Sequence, residues 1–175
     1  MALLLGLAFP KVKASSTADD NRAERTLDRD PMTYWQSRSE DGKSWIELAS
    51  SEEGRPLGGV GLYTKDFANY SPRRIRLLTR TGDSGGWTQI KEMQLETHEG
   101  WQQLLSAPEA GMADRVRIEI LSNHENGLDS RVSALRVNTS SALAILEPLE
   151  TAITVTDEAM PRVVEQKTQL QGLVA

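Results

Sequence analysis

Arg115-Val116-Arg117-Ile118-Glu119-Ile120-Leu121 puts Val116, Ile118 and Ile120 on one side of an extended chain and Arg115, Arg117 and Glu119 on the other. Apolar and charged residues alternate with period two, which predicts a strand with one buried and one wet face. The run leads into a polar stretch, Asn123-His124-Glu125-Asn126-Gly127-Leu128-Asp129. Beyond it Val132, Leu135 and Val137 predict a second strand whose alternation slips once, as at a β-bulge. Between the two lies a short loop rich in donors and acceptors, with Gly127 available for a positive φ. Asn, Gly and Asp are also the residues that simply make a turn. A rigid scaffold holding out such a loop is equally a common way to build a binding surface.

The rest of the chain repeats this style. The segment Ala23 to Leu27 has room for one helical turn, and Asp28-Arg29-Asp30-Pro31 then redirects the chain. In Thr33-Tyr34-Trp35-Gln36-Ser37 adjacent aromatics point to opposite faces, so Trp35 is expected in the core and Tyr34 outside or under a loop. Strands are predicted around Trp45–Leu48, Gly59–Tyr63, Arg74–Arg80, Trp87–Glu96 (with a bulge) and Gly100–Leu105. The glycines of Gly59-Val60-Gly61 signal a bend or a close approach. About eight short strands, with no long helical pattern before residue 140, point to an all-β fold in which two antiparallel sheets pack face to face as a jelly-roll β-sandwich.

Three stretches are expected: an apolar N-terminal segment 1–10, a β-sandwich over 11–138, and a C-terminal extension 139–175 that is helical or flexible. The opening apolar run is short for a secretory core and far short of the roughly 20 residues that span a bilayer. Residues 1–14 are expected to pair as an edge strand or pack across the bottom of the domain. The lack of autonomy at the C-terminal end suggests a piece of a larger polypeptide.

Charge and composition narrow the function. Net charge is -5, of which the segment 139–175 carries -3, so the body is nearly neutral and has no basic excess to attract nucleic acid. There is no cysteine, which removes disulfides and thiolate zinc sites and fits a reducing compartment. Asn69-Tyr70-Ser71 and Asn138-Thr139-Ser140 are glycosylation sequons only if the chain is secreted. His98 and His124 fall in different loops and imply no metal. Asp19, Asp20, Asp28 and Asp30 lack the alternation of a calcium loop, so turn and capping duty is the expectation. No nucleophile elbow, phosphate loop or zinc-protease motif occurs, and His124 beside Glu125 and Asp129 has no nucleophile to serve. No catalytic residue, metal or cofactor is expected. Arg73, Arg74, Arg76 and Arg80 form either a basic strip or, more simply, a solvated sheet face. Arg131 is placed to pair with Asp129 or with an acidic group of a ligand.

Four separated motifs carry a resemblance. Thr33-Tyr34-Trp35-Gln36-Ser37, Asn69-Tyr70-Ser71-Pro72-Arg73-Arg74-Ile75, Gly100-Trp101 and Ser122-Asn123-His124-Glu125-Asn126-Gly127-Leu128-Asp129 resemble, in order, the signatures of the DOC domain. That domain occurs in the Doc subunit of the anaphase-promoting complex and in large multidomain ubiquitin ligases, and belongs to the discoidin, galactose-binding-like superfamily. The resemblance covers residues 11–138 and implies a jelly-roll sandwich that is not catalytic and captures a protein or peptide with loops at one end. It places the ligand loops at Asn69, Tyr70 and Ser71, at Asn123, His124, Asn126 and Gly127 with Asp129 and Arg131 beside them, and at Gln36 and Ser37 leading in. Trp35 and Trp101 are expected to support the fold.

Departures matter. Arg38-Ser39 stands where Asp-Gly is usual, Gly127-Leu128-Asp129 replaces Gly-Arg-Asp, and Arg131-Val132-Ser133 replaces His-Ile-Arg. The Ile-Arg docking tail is absent; the sequence ends Leu173-Val174-Ala175. The resemblance therefore implies a cytoplasmic or nuclear recognition domain associated with a ubiquitin ligase rather than the Doc subunit itself, with no membrane or nucleic-acid partner. The alternative is an extracellular discoidin-like module for glycan or lipid headgroups, for which Phe67 and Leu128 are the only apolar loop tips.

Overall fold

Pairing among the strands places Arg115–Asn123 in the centre of a sheet, as its alternation requires. In the computed structural model the residues described are 9–28, 30, 32–39, 43–50, 55–65, 67–106 and 111–139. The chain divides into two units, Met1–Ser140 and Ser141–Ala175, and everything below concerns the first. The helices expected in the C-terminal extension and the first eight residues lie outside the described residues.

Eleven strands are present among the described residues: β1 Lys11–Ala14, β2 Trp35–Gln36, β3 Ser44–Ala49, β4 Arg55–Thr64, β5 Pro72–Arg80, β6 Thr88–Gln94, β7 Gly100–Ser106, β8 Met112–Ala113, β9 Arg115–Asn123, β10 Arg131–Val132 and β11 Ala134–Thr139. Three of them are two-residue pairings. Short 3-10 turns occupy Ala23–Leu27, Ala68–Tyr70 and His124–Asn126. One sheet has the order β1-β3-β9-β5-β6 and a second the order β11-β4-β7, with β8 added to β4 and a separate β10-β2 ribbon. All pairings are antiparallel. The result is an all-β jelly-roll sandwich.

The inner face of the five-stranded sheet follows from the sequence alternation. Ile118 of β9 stands opposite Ile46 of β3 and Leu77 of β5, and Ile120 stands opposite Ile75. Across the core the smaller sheet contributes Val60, Leu62, Leu104, Leu105 and Leu135, all buried. Trp35 is fully buried, and its indole Nε1 donates to the Ser16 carbonyl at 3.0 Å. Burying such a ring contributes about 3 kcal/mol or more, and Tyr34 beside it points elsewhere, as expected.

The outer face of the larger sheet is not the solvated basic surface that the sequence suggested. Arg74 and Arg76 pair with Glu92, Arg76 also meets Glu119 at 3.3 Å, and Arg80 lies 4.0 Å from Asp83. Glu47, itself buried, holds Arg117 at 2.8 Å and Arg115 at 3.3 Å. The Arg117 guanidinium lies between the rings of Trp45 and Trp87, 4.3 and 4.2 Å from their centroids. Strand pairing brings the opposite charges side by side, so the arginines neutralise neighbours instead of presenting a free strip.

Two further details differ from the sequence expectation. The slip after Val132 is a change of sheet rather than a bulge: β10 pairs with β2 and β11 with β4. Ser133 lies buried at the crossing, which lets Val132 and Leu135 both enter the core. Trp101, expected to support the fold, is 43 % exposed on the outer face of the smaller sheet. There it stands edge-on to Tyr63 with Arg136 over it at 4.4 Å. Gly61 permits this, because a β-carbon would come within 2.7 Å of the Arg136 side chain. Glycine is thus used for close approach, one of the two readings offered by the sequence.

Candidate functional site

The loops marked by the sequence meet because of strand register. Pro72, the first residue of β5, pairs with Asn123, the last of β9, so the turn before one and the turn after the other lie at the same end. Contact is direct: the His124 amide donates to the Ser71 carbonyl at 2.9 Å. Gly127 packs so closely on the first turn that a β-carbon there would overlap the Asn69 carbonyl. The β2-β10 ribbon brings Gln36 opposite Arg131 at this same end.

Within this cluster the expected ligand residues separate by burial. Asn123, Ser71 and Ser37 are buried and fully engaged. The Asn123 amide donates to the carbonyls of Gly127 at 3.0 Å and Asp129 at 2.9 Å, and its Oδ1 accepts from Ser130 Oγ at 3.0 Å. Ser37 Oγ accepts from the Ser130 amide at 2.8 Å, and Ser71 Oγ accepts from the Phe67 amide at 2.9 Å. These three side chains fix the loops from inside and offer a ligand nothing directly, since buried polar groups spend their capacity on internal partners. Ser130, which the sequence gave no reason to single out, is the hub of this network; with its proton on Asn123, its Oγ accepts from Ser44 Oγ at 3.0 Å.

The other residues stay open. Asn69 and Asn126 are exposed, and Tyr70, His124, Gln36, Gly127, Asp129 and Arg131 are partly so. Asp129 Oδ1 accepts from the Ser39 amide at 2.9 Å, which ties down the segment after β2. His124 faces Leu95, with Nε2 3.2 Å from its carbonyl oxygen. A carbonyl only accepts, so Nε2 carries the proton and the ring acts as a clasp to the segment after β6. Gly127 has φ -64, not the positive value expected; Glu125 and Asn126 take φ 52 and 58 instead. Asn tolerates that region and Glu less so. Gly127 is required for its lack of a β-carbon against Asn69, a long-range reason that the local sequence does not display.

Arg131 makes the centre of the exposed group. Its guanidinium lies 4.0 Å from the Tyr70 ring centroid, 4.8 Å from Tyr34 and 5.8 Å from Phe67, while Tyr34 and Phe67 touch at 5.3 Å. Its Nε donates to Gln36 Oε1 at 2.9 Å. The Arg131–Asp129 ion pair allowed by the sequence is not formed. Leu128, 54 % exposed, stands on the same loop. Among the described residues no group of three or more histidines and carboxylates is disposed to hold a metal ion.

Comparison with known proteins gives the family and the fold. Residues 10–158 match the family described as anaphase-promoting complex, subunit 10 (APC10). The chain belongs to the APC10 family. That is the DOC domain expected from the four motifs. No curated protein matches the sequence. Solved structures with the same fold include the family 32 carbohydrate-binding module of Clostridium perfringens NanJ in complex with galactose, at TM-score 0.62 and 14% identity over 75% of this chain and 97% of that one. A pectin-binding carbohydrate-binding module gives TM-score 0.62 and 16% identity over 78% and 95%. Chitosan-binding module 1 of a Paenibacillus sp. IK-5 chitosanase/glucanase gives 0.60 and 15% over 75% and 96%. At these identities the likeness concerns the galactose-binding-like fold. Family and fold together fit a non-catalytic binding domain. No described helix is long and apolar enough to cross a membrane.

Proposed function

We propose that this APC10-family domain is a recognition module that holds a segment of another protein on the surface formed by Asn69, Tyr70, Asn126 and Arg131. Gln36, His124, Gly127 and Asp129 shape that surface, and Asn123, Ser71 and Ser37 brace it from within. In this reading it serves a ubiquitin-ligase assembly of the cytoplasm or nucleus, bringing in a substrate or partner, with no catalytic chemistry of its own. One observation supports it above the others: the Pro72–Asn123 pairing joins two turns rich in exposed amides beside an arginine stacked on tyrosine. Exposed amides suit a peptide backbone, and a partly buried Tyr and Arg are the usual anchors of a protein interface. The test is selection of peptides from a random library by the full chain, followed by comparison with a variant carrying Asn69→Ala and Asn126→Ala. Peptides that bind the wild type and lose at least about tenfold in affinity on the variant, with its amide spectrum still that of the folded domain, support the reading. Equal affinity for both chains rejects it.

The carbohydrate-binding neighbours support a second reading, a discoidin-like extracellular module for glycan or lipid headgroups, because aromatic rings beside polar loops also suit a sugar. Titration of the labelled chain with galactose separates the two. Saturable amide shifts around Tyr70 and Asn126 favour the sugar, and their absence with retained peptide binding favours the protein ligand.

A further inference from the structure

The cation at the centre of the end-loop surface lies against aromatic rings and has one edge occupied, but among the described residues it meets no counter-charge. Arg74, Arg76, Arg80, Arg115 and Arg117 on the sheet face each meet a carboxylate. Arg131, among the described residues, meets none within ion-pair distance. The neighbouring acid, Asp129, has an oxygen committed to the Ser39 amide. Nor does any protein acceptor among the described residues take the two terminal amines of Arg131; the Nε contact to Gln36 is its one hydrogen bond. The planar group is meanwhile held against Tyr70 and Tyr34, with Phe67 close by.

Stacking of this kind fixes the plane of a guanidinium without using the in-plane donors. A half-buried cation whose terminal amines are unspent, oriented in advance, is matched by a carboxylate, which takes two parallel N–H donors. The ordering cost that usually weakens a surface ion pair is already met by the rings and by Gln36.

We propose that Arg131 makes this surface selective for a carboxylate on the bound peptide, either an Asp or Glu side chain or a free C-terminus. This rests on the end-loop reading above and adds the chemical class of ligand to it. The peptide's acid lies against the Arg131 amines, and the exposed amides of Asn69 and Asn126 hold the flanking backbone.

The experiment uses the full chain and a random peptide library made in two forms, with free and with amidated C-termini. Selected peptides are expected to carry an acid at one fixed position, or to be lost on amidation; the two arms separate side chain from terminus. Replacing that acid by its amide should weaken binding by about tenfold to a hundredfold, the range for a hydrogen bond to a charged partner. In an Arg131→Gln chain the same replacement should change affinity less than twofold, and Arg131→Lys should restore only part of the preference. Unchanged melting temperatures confirm that each variant is folded. Selected peptides without an acidic preference, or an acid-to-amide ratio that survives in Arg131→Gln, overturn the inference. If the Asn69/Asn126 variant still loses those peptides, the end-loop reading stands while the carboxylate inference falls. Absence of any binding peptide from both libraries overturns both.

Discussion

Gly127 and Asn69 are in contact so close that the space for a β-carbon on one is filled by the carbonyl oxygen of the other. The obstacle is backbone, not the flexible end of a side chain, so Gly127→Ala forces one of the two turns to move. The expected cost is about 1–3 kcal/mol, as for overpacking elsewhere, read as a lower denaturation midpoint. Amide shifts should spread to residues 67–71, across the contact. Shifts confined to residues near 127 in sequence would contradict this account of the site.

Asn123 and Asn126 lie three residues apart and should behave in opposite ways. Asn123→Ala removes three internal hydrogen bonds and leaves the Ser130 hydroxyl without its acceptor, for an expected loss of about 2–4 kcal/mol. Asn126→Ala alters an exposed side chain and gives up only asparagine's tolerance of φ 58, so about 0.5–1 kcal/mol is expected, well below the Asn123 loss. Urea denaturation of the two variants in parallel decides the matter, and similar midpoints would show that the buried network has been misassigned.

Glu47 is the shared partner of two arginines on the outer sheet face. Glu47→Gln keeps its size and one acceptor oxygen but removes the charge, leaving Arg117 among the described residues with no counter-charge. A loss of about 2 kcal/mol is expected, less than for a fully buried pair because both guanidinium groups retain some solvent. High salt should narrow the difference from wild type only slightly, which a denaturation series with added sodium chloride measures.

Glu92 provides a pH test. The Arg74 hydrogen bond, with a smaller contribution from Arg76, holds its carboxyl below the ordinary value, against a partly opposing effect of desolvation. Because the folded value is depressed, the stabilisation from this carboxylate is present above the unfolded pKa and is lost as pH falls through the folded one. Carbon-detected titration of the Glu92 carboxyl should therefore give a lower midpoint than for a free glutamate, and Arg74→Gln should move it upward. A midpoint unaffected by Arg74→Gln would mean that this pair does not persist in solution.

What the sequence disclosed and what it withheld follow from the range of each interaction. Val116, Ile118 and Ile120 announced their strand because alternation is a local property, and the loop after them could be placed at a strand end for the same reason. Trp35 was legible in the core because its neighbour Tyr34 had to take the other side. The stack on Arg131 was not, since Tyr34, Phe67 and Tyr70 come from segments that only the sheet pairing brings together. Ser37, Ser71 and Asn123 were visible as motif residues, but a motif does not say whether its side chain points into the fold or out of it. Trp101 was expected to support the fold from its motif position, but its outward direction was not legible, nor was Gly61, across from Arg136, making room for that side chain to lie over the ring.

The crossing at Ser133 bears on how such a surface can diversify. Arg131 and Val132 share a two-residue strand of the β10-β2 ribbon, and the next pairing begins at Ala134, on β4 of the smaller sheet. Gain or loss of a single residue here would turn the arginine inward and the valine out, because side chains alternate with period two. Substitution of Arg131 can therefore alter the ligand-facing side of this chain without disturbing its core, whereas a one-residue insertion or deletion beside it would disturb both.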